Sequence, residues 1–418
     1  MRDVLVMGMG TSGLVAALRC QEAGLNVTLL AKGVGSTHLA PGTIDVLGYD
    51  PELVENPSEA LPRFADRNPE HPYARIGADV VARSLEWFSE RFDGYRYTGS
   101  VDENFLLPTA IGSIKPSTLV PETLAAGDLR KGGRLLFVGL RQLKDFYPAL
   151  TAQNVANAKT PSGADISARA VQIEPPLGGE ADVTGLALAR KFDDPGFLDV
   201  VATQISALVD DDEAVGLPAV LGLRRPREVW EGLQEALGRP VFEIPGLPPS
   251  VPGVRLHEIL VAQFESAGGR VVVGAEAVGA DTEGDRVTAV RVVAAARIKP
   301  FVARHFVLAT GGFGSGAIEM TSSWKVRENV FDLPVMGVPA DEQRFSLRYF
   351  DRQPMARAGI RIDDSLHPLD GSGRRLYANL TVVGACIAGS EAWREKSGEG
   401  ISLSSGYKAA TTVIEEAM

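Results

Sequence analysis

Residues 4–30 constrain the fold more than any other part of the sequence. Residues 4–7 form an apolar run with the length of a buried parallel strand, and three glycines in GxGxxG spacing follow it. Apolar residues then recur at helical steps up to Gly24, which suits the end of a helix, and a β-branched run occupies 27–30. The pattern therefore predicts a strand–turn–helix–strand unit.

The three glycines of this unit have separate physical roles. Gly8 allows the tight turn, Gly10 lets the backbone approach a phosphate, and Gly13 lets the helix pack closely on the strand. Thr11 and Ser12 begin the helix, whose free N–H groups and dipole favour a negative charge. We predict that these five residues bind a nucleotide cofactor.

The second strand lacks the acid that usually binds the adenosine ribose of a dinucleotide. That position reads Leu30-Ala31-Lys32. A dinucleotide could be held less tightly at its adenosine end, or the cofactor could lack adenosine, as FMN does. Lys32 would also suit the 2′-phosphate of NADP, although the rest of the chain favours a flavin.

Composition excludes several other classes. The 418 residues carry a net charge of −11 without a Lys/Arg stripe, so we expect no nucleic-acid partner. Cys20 and Cys386 are too few to hold an iron–sulfur cluster and are expected to be small buried side chains. The five histidines show no zinc-like spacing, so we predict no metal site.

The first strand begins at residue 3 and no long apolar run occurs. We therefore expect a cytoplasmic protein without signal peptide or spanning helix.

Two later segments resemble the strands that flavoproteins of the glutathione-reductase-like type place against their cofactor. Residues 304–312 form an apolar strand that ends in a glycine pair, and 379–385 read as a last strand ending in Gly384-Ala385. A final helix is predicted to begin near Ser404-Ser405-Gly406, with hydroxyls and free N–H groups facing the flavin. The residues expected to contact the flavin here are Ala309, Thr310, Gly311, Gly384, Ser404 and Ser405.

These pieces are far apart in the chain, so the predicted domain is discontinuous. The fold class is α/β, with a Rossmann-like FAD/NAD(P)-binding domain formed by 1–45 plus 251–418. Within it, 270–303 are predicted to form an antiparallel β-layer crossover. Residues 46–250 alternate between helical and strand-like patterns and are predicted to be an inserted α+β cap domain, which would contact substrate or other subunits.

Several motifs in this order resemble the B subunit of the anaerobic glycerol-3-phosphate dehydrogenases, a family within the glutathione-reductase-like and fumarate-reductase-like superfamily. The resemblance spans residue 4 to about 390, and its most specific motif is LPPSVPGVRL at 247–256. The other matching segments are 38–47, 71–73, 138–140 with 144–146, and 309–313 with 315–316. The start of the last helix departs from the glycine-rich pattern of the family.

The resemblance implies a flavin-dependent oxidoreductase within a respiratory complex of three different subunits. One is a flavoprotein that carries FAD and oxidises sn-glycerol 3-phosphate to glycerone phosphate. The one that this chain resembles carries FMN, and the third carries iron–sulfur clusters and attaches the complex to the membrane. Electrons pass towards a quinone.

The same resemblance implies partners, a location and a cofactor. The partners are the FAD-carrying flavoprotein and the iron–sulfur protein of the complex, and through them the chain would lie peripherally on the inner face of the cell membrane. FMN agrees with the missing ribose acid after the second strand, and FAD is the alternative.

Candidate residues for chemistry are few. Arg255 and His257 follow the LPPS motif and could supply a cation for phosphate and a proton acceptor, while Ser36, His38 and Gly42 are expected beside the flavin. No catalytic base is assigned, so the chemistry could reside on a partner protein. The alternative is a stand-alone flavin-dependent dehydrogenase or reductase of the fumarate-reductase-like type, acting on a small hydroxy or keto acid.

Overall fold

The computed structural model describes residues 2–92, 94–340 and 343–417. Its strands are β1 Arg2–Met7, β2 Val27–Ala31, β3 Tyr97–Gly99, β4 Phe105–Pro108, β5 Ile114–Ser117, β6 Leu119–Pro121, β7 Gly133–Leu140, β8 Ile166–Ile173, β9 Glu213–Pro218, β10 Val241–Ile244, β11 Arg270–Val273, β12 Glu276–Glu283, β13 Arg286–Ala294, β14 Arg297–Leu308, β15 Ile318–Met320, β16 Val326–Glu328, β17 Val335–Met336, β18 Gly359–Ile360 and β19 Leu380–Val382. Its helices are α1 Thr11–Glu22, α2 Pro57–Arg67, α3 Pro72–Ile76, α4 Ala78–Ser89, α5 Glu122–Ala125, α6 Pro148–Ala156, α7 Gly185–Phe192, α8 Pro195–Ser206, α9 Pro226–Leu237, α10 Val251–Ser266, α11 Ala392–Glu395 and α12 Gly398–Ala417.

A parallel sheet in the order β11–β2–β1–β14–β19 forms the centre of the fold. Val4, Leu5 and Val6 of β1 are fully buried, because strands covered on both faces need a continuous apolar run rather than an alternating one. Helix α1 connects β1 to the neighbouring β2. The N-terminal βαβ unit and the predicted α/β class are therefore confirmed.

Strand β14 belongs to two layers. Residues 303–308 pair in parallel with β1, whereas 297–302 pair antiparallel with β13, which in turn pairs with β12. The antiparallel layer expected over 270–303 is therefore present over 276–302. Residues 270–273 differ from that expectation, because β11 joins the parallel sheet beside β2.

The inserted region has its own sheet. Its four strands, in the order β10–β9–β7–β8, are all parallel, and at least one helix connects each consecutive pair along the chain. This is an α/β arrangement, more regular than the α+β insertion that the sequence predicted. Strand–helix alternation explains it, because parallel neighbours require crossover connections. The antiparallel ribbons β3–β6 and β4–β5 precede this sheet along the chain.

Two large hydrophobic clusters divide the core. One holds the central sheet, α1 and α12 together with buried residues of α2, α3 and α4, while the other is built on the sheet of the insertion. Residues 46–97 thus pack largely with the central sheet. The domain boundaries 1–45 plus 251–418 and 46–250 remain a prediction.

The structure defines the starts of the two long helices α12 and α10. Helix α12 begins at Gly398 rather than near Ser404. Helix α10 begins at Val251, where the Ser250 side chain accepts a hydrogen bond from Gly253 N at 3.5 Å. No helix within the described ranges has both the length and the apolar character needed to cross a bilayer.

Candidate functional site

The glycine-rich turn joins β1 to α1 at the carboxyl end of the central sheet. Gly8 has φ +113°, and a Cβ there would lie 2.1 Å from the Ala309 carbonyl oxygen. A Cβ on Gly13 would lie 2.0 Å from the Gly8 carbonyl oxygen. A Cβ on Gly10 would have only the Ser36 hydroxyl within 4 Å, at 4.0 Å. Two glycines therefore serve close packing, and Gly10 faces a space that a ligand can occupy.

Segments distant in sequence meet at this turn. Ala309 N, directly after β14, donates to Met7 O at 2.8 Å. Thr11 at the start of α1 lies 3.2 Å, hydroxyl to hydroxyl, from Thr37 after β2. The open side of an α/β sheet at the carboxyl ends of its strands is where such folds bind ligands.

Gly384, after β19, is fixed between two helices. Its φ is +72°, and a Cβ there would lie 2.6 Å from Ser12 Oγ of α1. Its backbone N–H donates to Ser405 Oγ of α12 at 2.9 Å. The structure thus brings together Gly8, Gly10, Thr11, Ser12, Gly13, Ser36, Ala309, Gly384 and Ser405.

Ser404 and Ser405 do not begin a helix, which corrects the sequence-based expectation for α12. They lie within α12, and Ser404 Oγ donates to Gly400 O at 2.6 Å. At the true start of the helix, Gly400 N donates to Asp45 O at 3.0 Å. The Ser404 hydroxyl is therefore used within α12 and the Ser405 hydroxyl by Gly384 N. The chain around residue 45 occupies part of the first turn of α12.

Three buried polar atoms that lack a partner within the described ranges belong to residues near the turn: Thr310 follows Ala309, His38 follows Thr37, and His257 contacts His38. The buried atoms Thr310 Oγ1, His38 Nε2 and His257 Nδ1 have no hydrogen-bond partner among the described residues. Thr310 stands between Ala309 and Gly311, whose φ of +84° turns the chain after β14. Buried polar atoms without partners carry a free-energy cost, and a polar ligand would remove it.

His38 and His257 form a pair with ring centroids 4.5 Å apart. Burial lowers the pKa of His38, partly opposed by Glu258, and burial together with His38 lowers the pKa of His257 to about 4. His257 is therefore neutral at pH 7. Its ring can accept a hydrogen bond but is a weak base.

The segment that carries His38 is anchored to the start of α10. Ser250 N donates to His38 O at 2.8 Å, and Gly42, with φ +82°, would place a Cβ 2.6 Å from Pro252 Cβ. Tyr97 Oη donates to Gly42 O at 2.6 Å. Gly42 therefore has a packing role, and the LPPS motif positions the histidine pair.

Arg255 does not face the open site, which argues against its candidate catalytic role. It is 1% exposed, and its guanidinium lies 2.6 and 3.0 Å from the two Glu243 carboxylate oxygens. It also donates to the carbonyl oxygens of Leu221 and Gly222 and to Tyr95 Oη. Since all five of its N–H groups are used within the protein, Arg255 joins α10 to the inserted sheet instead of binding a phosphate.

Lys32 pairs with an acid from another strand. Its Nζ lies 2.7 Å from Glu276 Oε1, and Ala275 N donates to Ala31 O at 3.0 Å. A carboxylate therefore stands beside the end of β2 although the sequence of β2 lacks one. Nothing in the local sequence of β2 indicates this, because the acid comes from β12.

The two cysteines are buried side chains without redox pairing. Both are free and 0% exposed, and burial raises the pKa of Cys20 and Cys386 to about 12. A thiol with so high a pKa does not form the reactive thiolate at neutral pH. The sequence-based expectation of small buried side chains is confirmed.

A cleft of about 220 Å³ separates the segment after His38 from the insertion. Its walls are mainly apolar, from Leu39, Pro41, Leu107, Pro108 and Pro245, with Thr43, Thr109 and Lys115 as polar groups. Lys115 Nζ donates to Thr43 Oγ1 at 2.7 Å and pairs with the buried Asp45. This ion pair is a feature that the sequence analysis did not identify.

Comparison with known proteins agrees with this geometry. The family model described as "FAD binding domain" matches residues 3–401. A Halobacterium salinarum protein, named as the B subunit of a probable anaerobic glycerol-3-phosphate dehydrogenase, is 33% identical over 427 residues, covering 99% of this chain and 98% of the relative. The B subunit of the anaerobic glycerol-3-phosphate dehydrogenase of Pectobacterium carotovorum is 32% identical, covering 99% of both chains.

Among solved structures, a 3-ketosteroid Δ1-dehydrogenase from Sterolibacterium denitrificans aligns over 99% of both chains with 12% identity and a TM-score of 0.47. The assignment of the chain rests on the family model and the curated relatives. This chain belongs to the FAD-binding-domain family of flavoproteins and, within it, to the B-subunit family of the anaerobic glycerol-3-phosphate dehydrogenases.

Proposed function

We propose that this chain is the flavin-binding B subunit of a respiratory sn-glycerol-3-phosphate dehydrogenase, which oxidises glycerol 3-phosphate to glycerone phosphate and passes electrons to a quinone. The observation that carries the proposal is the convergence of the glycine turn with Ser36, Thr310 and Gly384, in a chain whose relatives bear this name. The partners would be the FAD-carrying flavoprotein and the iron–sulfur protein of the complex. They would hold the chain peripherally on the cytoplasmic face of the membrane.

The residues around the turn fit a flavin nucleotide. Gly10 leaves room for a phosphate, and Thr11 opens the helix whose N–H groups favour its charge. Thr310 Oγ1 and His38 Nε2 are the unpartnered polar atoms that could bind the rest of the group. When bound, the flavin supplies the electron-transfer chemistry that protein side chains lack.

The side chains favour electron transfer over a separate substrate reaction. A phosphate-bearing substrate needs a fixed cation, yet Arg255 is committed to Glu243 and Lys115 to Asp45. His257, with its pKa lowered to about 4, is a weak proton acceptor for an alcohol. Both points support the partner flavoprotein as the place where glycerol 3-phosphate is oxidised.

The form of the flavin depends on the adenosine end of the site. The prediction of FMN came from the family resemblance, and the missing acid after β2 agreed with it. Because Glu276 brings a carboxylate to Lys32 beside that strand end, an adenosine ribose could find a hydrogen-bond acceptor there. This contact and the family model support FAD, with FMN as the alternative.

Glu276→Gln tests the form of the cofactor. We expect heat-released flavin from wild type to be FAD, and we expect the substitution to weaken FAD binding roughly tenfold through loss of a charged acceptor. Affinity for added FMN should not change, because FMN has no adenosine. Titration of apoprotein with each flavin measures both, and Glu283→Gln at the other end of β12 is the matched control. Release of FMN alone would overturn the FAD assignment, and equal FAD affinity in both variants would overturn the role of Glu276.

Activity assays of the isolated chain and of the complex distinguish a component of a complex from a stand-alone enzyme. We expect the flavin-loaded chain alone not to reduce an artificial acceptor with glycerol 3-phosphate, since Arg255 and Lys115 are paired with Glu243 and Asp45. The complex with both partner proteins should reduce this acceptor and a quinone. A complex containing the Gly10→Ala chain should keep the first activity and lose the second. Turnover by the isolated chain would instead favour a stand-alone dehydrogenase acting on a small hydroxy or keto acid.

A further inference from the structure

One region of the surface exposes an unusual set of large apolar side chains. Leu347 is 106% exposed, Tyr349 80% and Phe350 79%. The remaining members are Trp324, Phe345 and Trp393, each about half exposed. We call these six residues the aromatic surface; large exposed apolar patches mark sites of interaction.

Ring contacts arrange the aromatic members of this surface in two groups. The rings of Tyr349 and Phe350 have centroids 5.2 Å apart, and those of Tyr349 and Trp393 are 6.4 Å apart. Trp324 and Phe345 form a second pair at 6.5 Å. Residues from the loop between β17 and β18 therefore meet the side chain that α11 contributes.

Hydrogen bonds hold this loop in place. Arg394 Nη1 donates to Phe350 O at 2.5 Å, and Gln353 N donates to Glu391 Oε1 at 2.9 Å. The Gln353 side chain in turn accepts from Ser346 N at 3.0 Å. These hydrogen bonds fix the backbone of the loop that carries the exposed rings.

The charge of the loop is opposite to that of the whole chain. The loop sequence 337–358 contains four arginines and three acidic residues, a net charge of +1, whereas the chain has a net charge of −11. Arg348 and Arg352 are exposed, and none of the ion pairs found in the described ranges involves either of them. Within those ranges, two guanidinium groups without an acidic partner therefore flank Tyr349 and Phe350.

We propose that the aromatic surface, with Arg348 and Arg352, binds directly to a bilayer that contains anionic lipid. Trp and Tyr side chains favour the level of the headgroups, and arginine is attracted to the negative surface potential of such a membrane. Leu347 and Phe350, which are 106% and 79% exposed, supply the apolar side chains for the boundary with the acyl chains. This contact is additional to attachment through partner proteins and does not depend on the bound flavin.

Vesicle flotation of the full chain tests the proposal. We expect the protein to float with vesicles of equal parts phosphatidylglycerol and phosphatidylcholine, and not with phosphatidylcholine alone. Arg348→Gln combined with Arg352→Gln should weaken binding roughly 30-fold, since each basic residue near an anionic surface contributes about a factor of five. Leu347→Ser with Tyr349→Ser and Phe350→Ser should abolish flotation, and the blue shift of tryptophan fluorescence on adding vesicles should disappear.

Matched control variants remove exposed cations or exposed apolar side chains at other positions. Arg297→Gln with Lys299→Gln removes two exposed cations of β14, and Tyr147→Ser with Ile298→Ser removes two similarly exposed apolar side chains. These controls should float like wild type, and all variants should unfold at the same temperature because the changed residues are exposed. No flotation of wild type, or equal losses in variants and controls, would overturn the proposal. Loss of association with the partner proteins by the triple variant, without vesicle binding by wild type, would assign the surface to a protein partner instead.

Discussion

Gly10→Ala is expected to abolish flavin binding while leaving the apoprotein as stable as wild type. Its Cβ would enter the open side of the glycine turn, where the closest atom is Ser36 Oγ at 4.0 Å, so it would displace a phosphate without touching the protein. The backbone of Gly10, with φ −79°, also accepts alanine without strain. We expect at least a 100-fold loss of affinity, about 2.7 kcal/mol, and a change in unfolding free energy within about 0.5 kcal/mol.

Gly13→Ala provides the contrast, because the new Cβ would lie 2.0 Å from a backbone oxygen. We expect this variant to lose about 3 kcal/mol of stability, the upper part of the usual range for overpacking. Denaturation of both apoproteins by urea, together with flavin titration, measures the two effects separately. Equal flavin affinity in Gly10→Ala and wild type would contradict the assignment of the turn as the phosphate site.

Breaking the buried pair between Arg255 and Glu243 should strongly destabilise the protein. The two side chains are 1% and 2% exposed as residues, so removing either partner leaves a charge in an apolar environment. Glu243→Leu or Arg255→Met should each lower the free energy of unfolding by about 3–5 kcal/mol. Glu243→Leu also leaves Leu221 N without its acceptor.

The double variant distinguishes a coupled pair from two independent losses. Because it leaves no unpaired charge, we expect it to be more stable than the sum of the single effects by about 2 kcal/mol. Guanidinium unfolding of the four proteins completes the cycle. Glu228→Ala, which breaks the exposed pair with Arg225, should have no measurable effect. Strict additivity would show that Arg255 acts through packing and its carbonyl contacts alone.

Local patterns in the sequence predicted the features that local physics determines. The GxGxxG spacing predicted the turn because only glycine permits the φ of Gly8 and the close contact at Gly13. The local pattern of residues 270–303 likewise predicted the antiparallel layer. Both signals depend on neighbours within a few residues, so one sequence is enough to interpret them.

The remaining features depend on partners that are distant in the chain. Glu276 meets Lys32 across 244 residues, and His38 meets His257 of helix α10. Arg255 was predicted as a cation for phosphate from its position after the LPPS motif. That position does not reveal the ion pair with Glu243 on β10. The start of α12 was misplaced because serines and glycines occur throughout 397–406, and each offers an equivalent capping signal.

The pairing of β1 with β14 joins residues about 300 positions apart, and its register runs from Arg2 with Ala303 to Met7 with Leu308. During synthesis, the first strand leaves the ribosome long before its neighbour exists. The inserted sheet, contained within 133–244, is by then complete and can form from contiguous chain. We therefore expect the inserted sheet to form before β1 pairs with β14, and the glycine turn gains its opposing wall at Ala309 only after three-quarters of the chain has emerged.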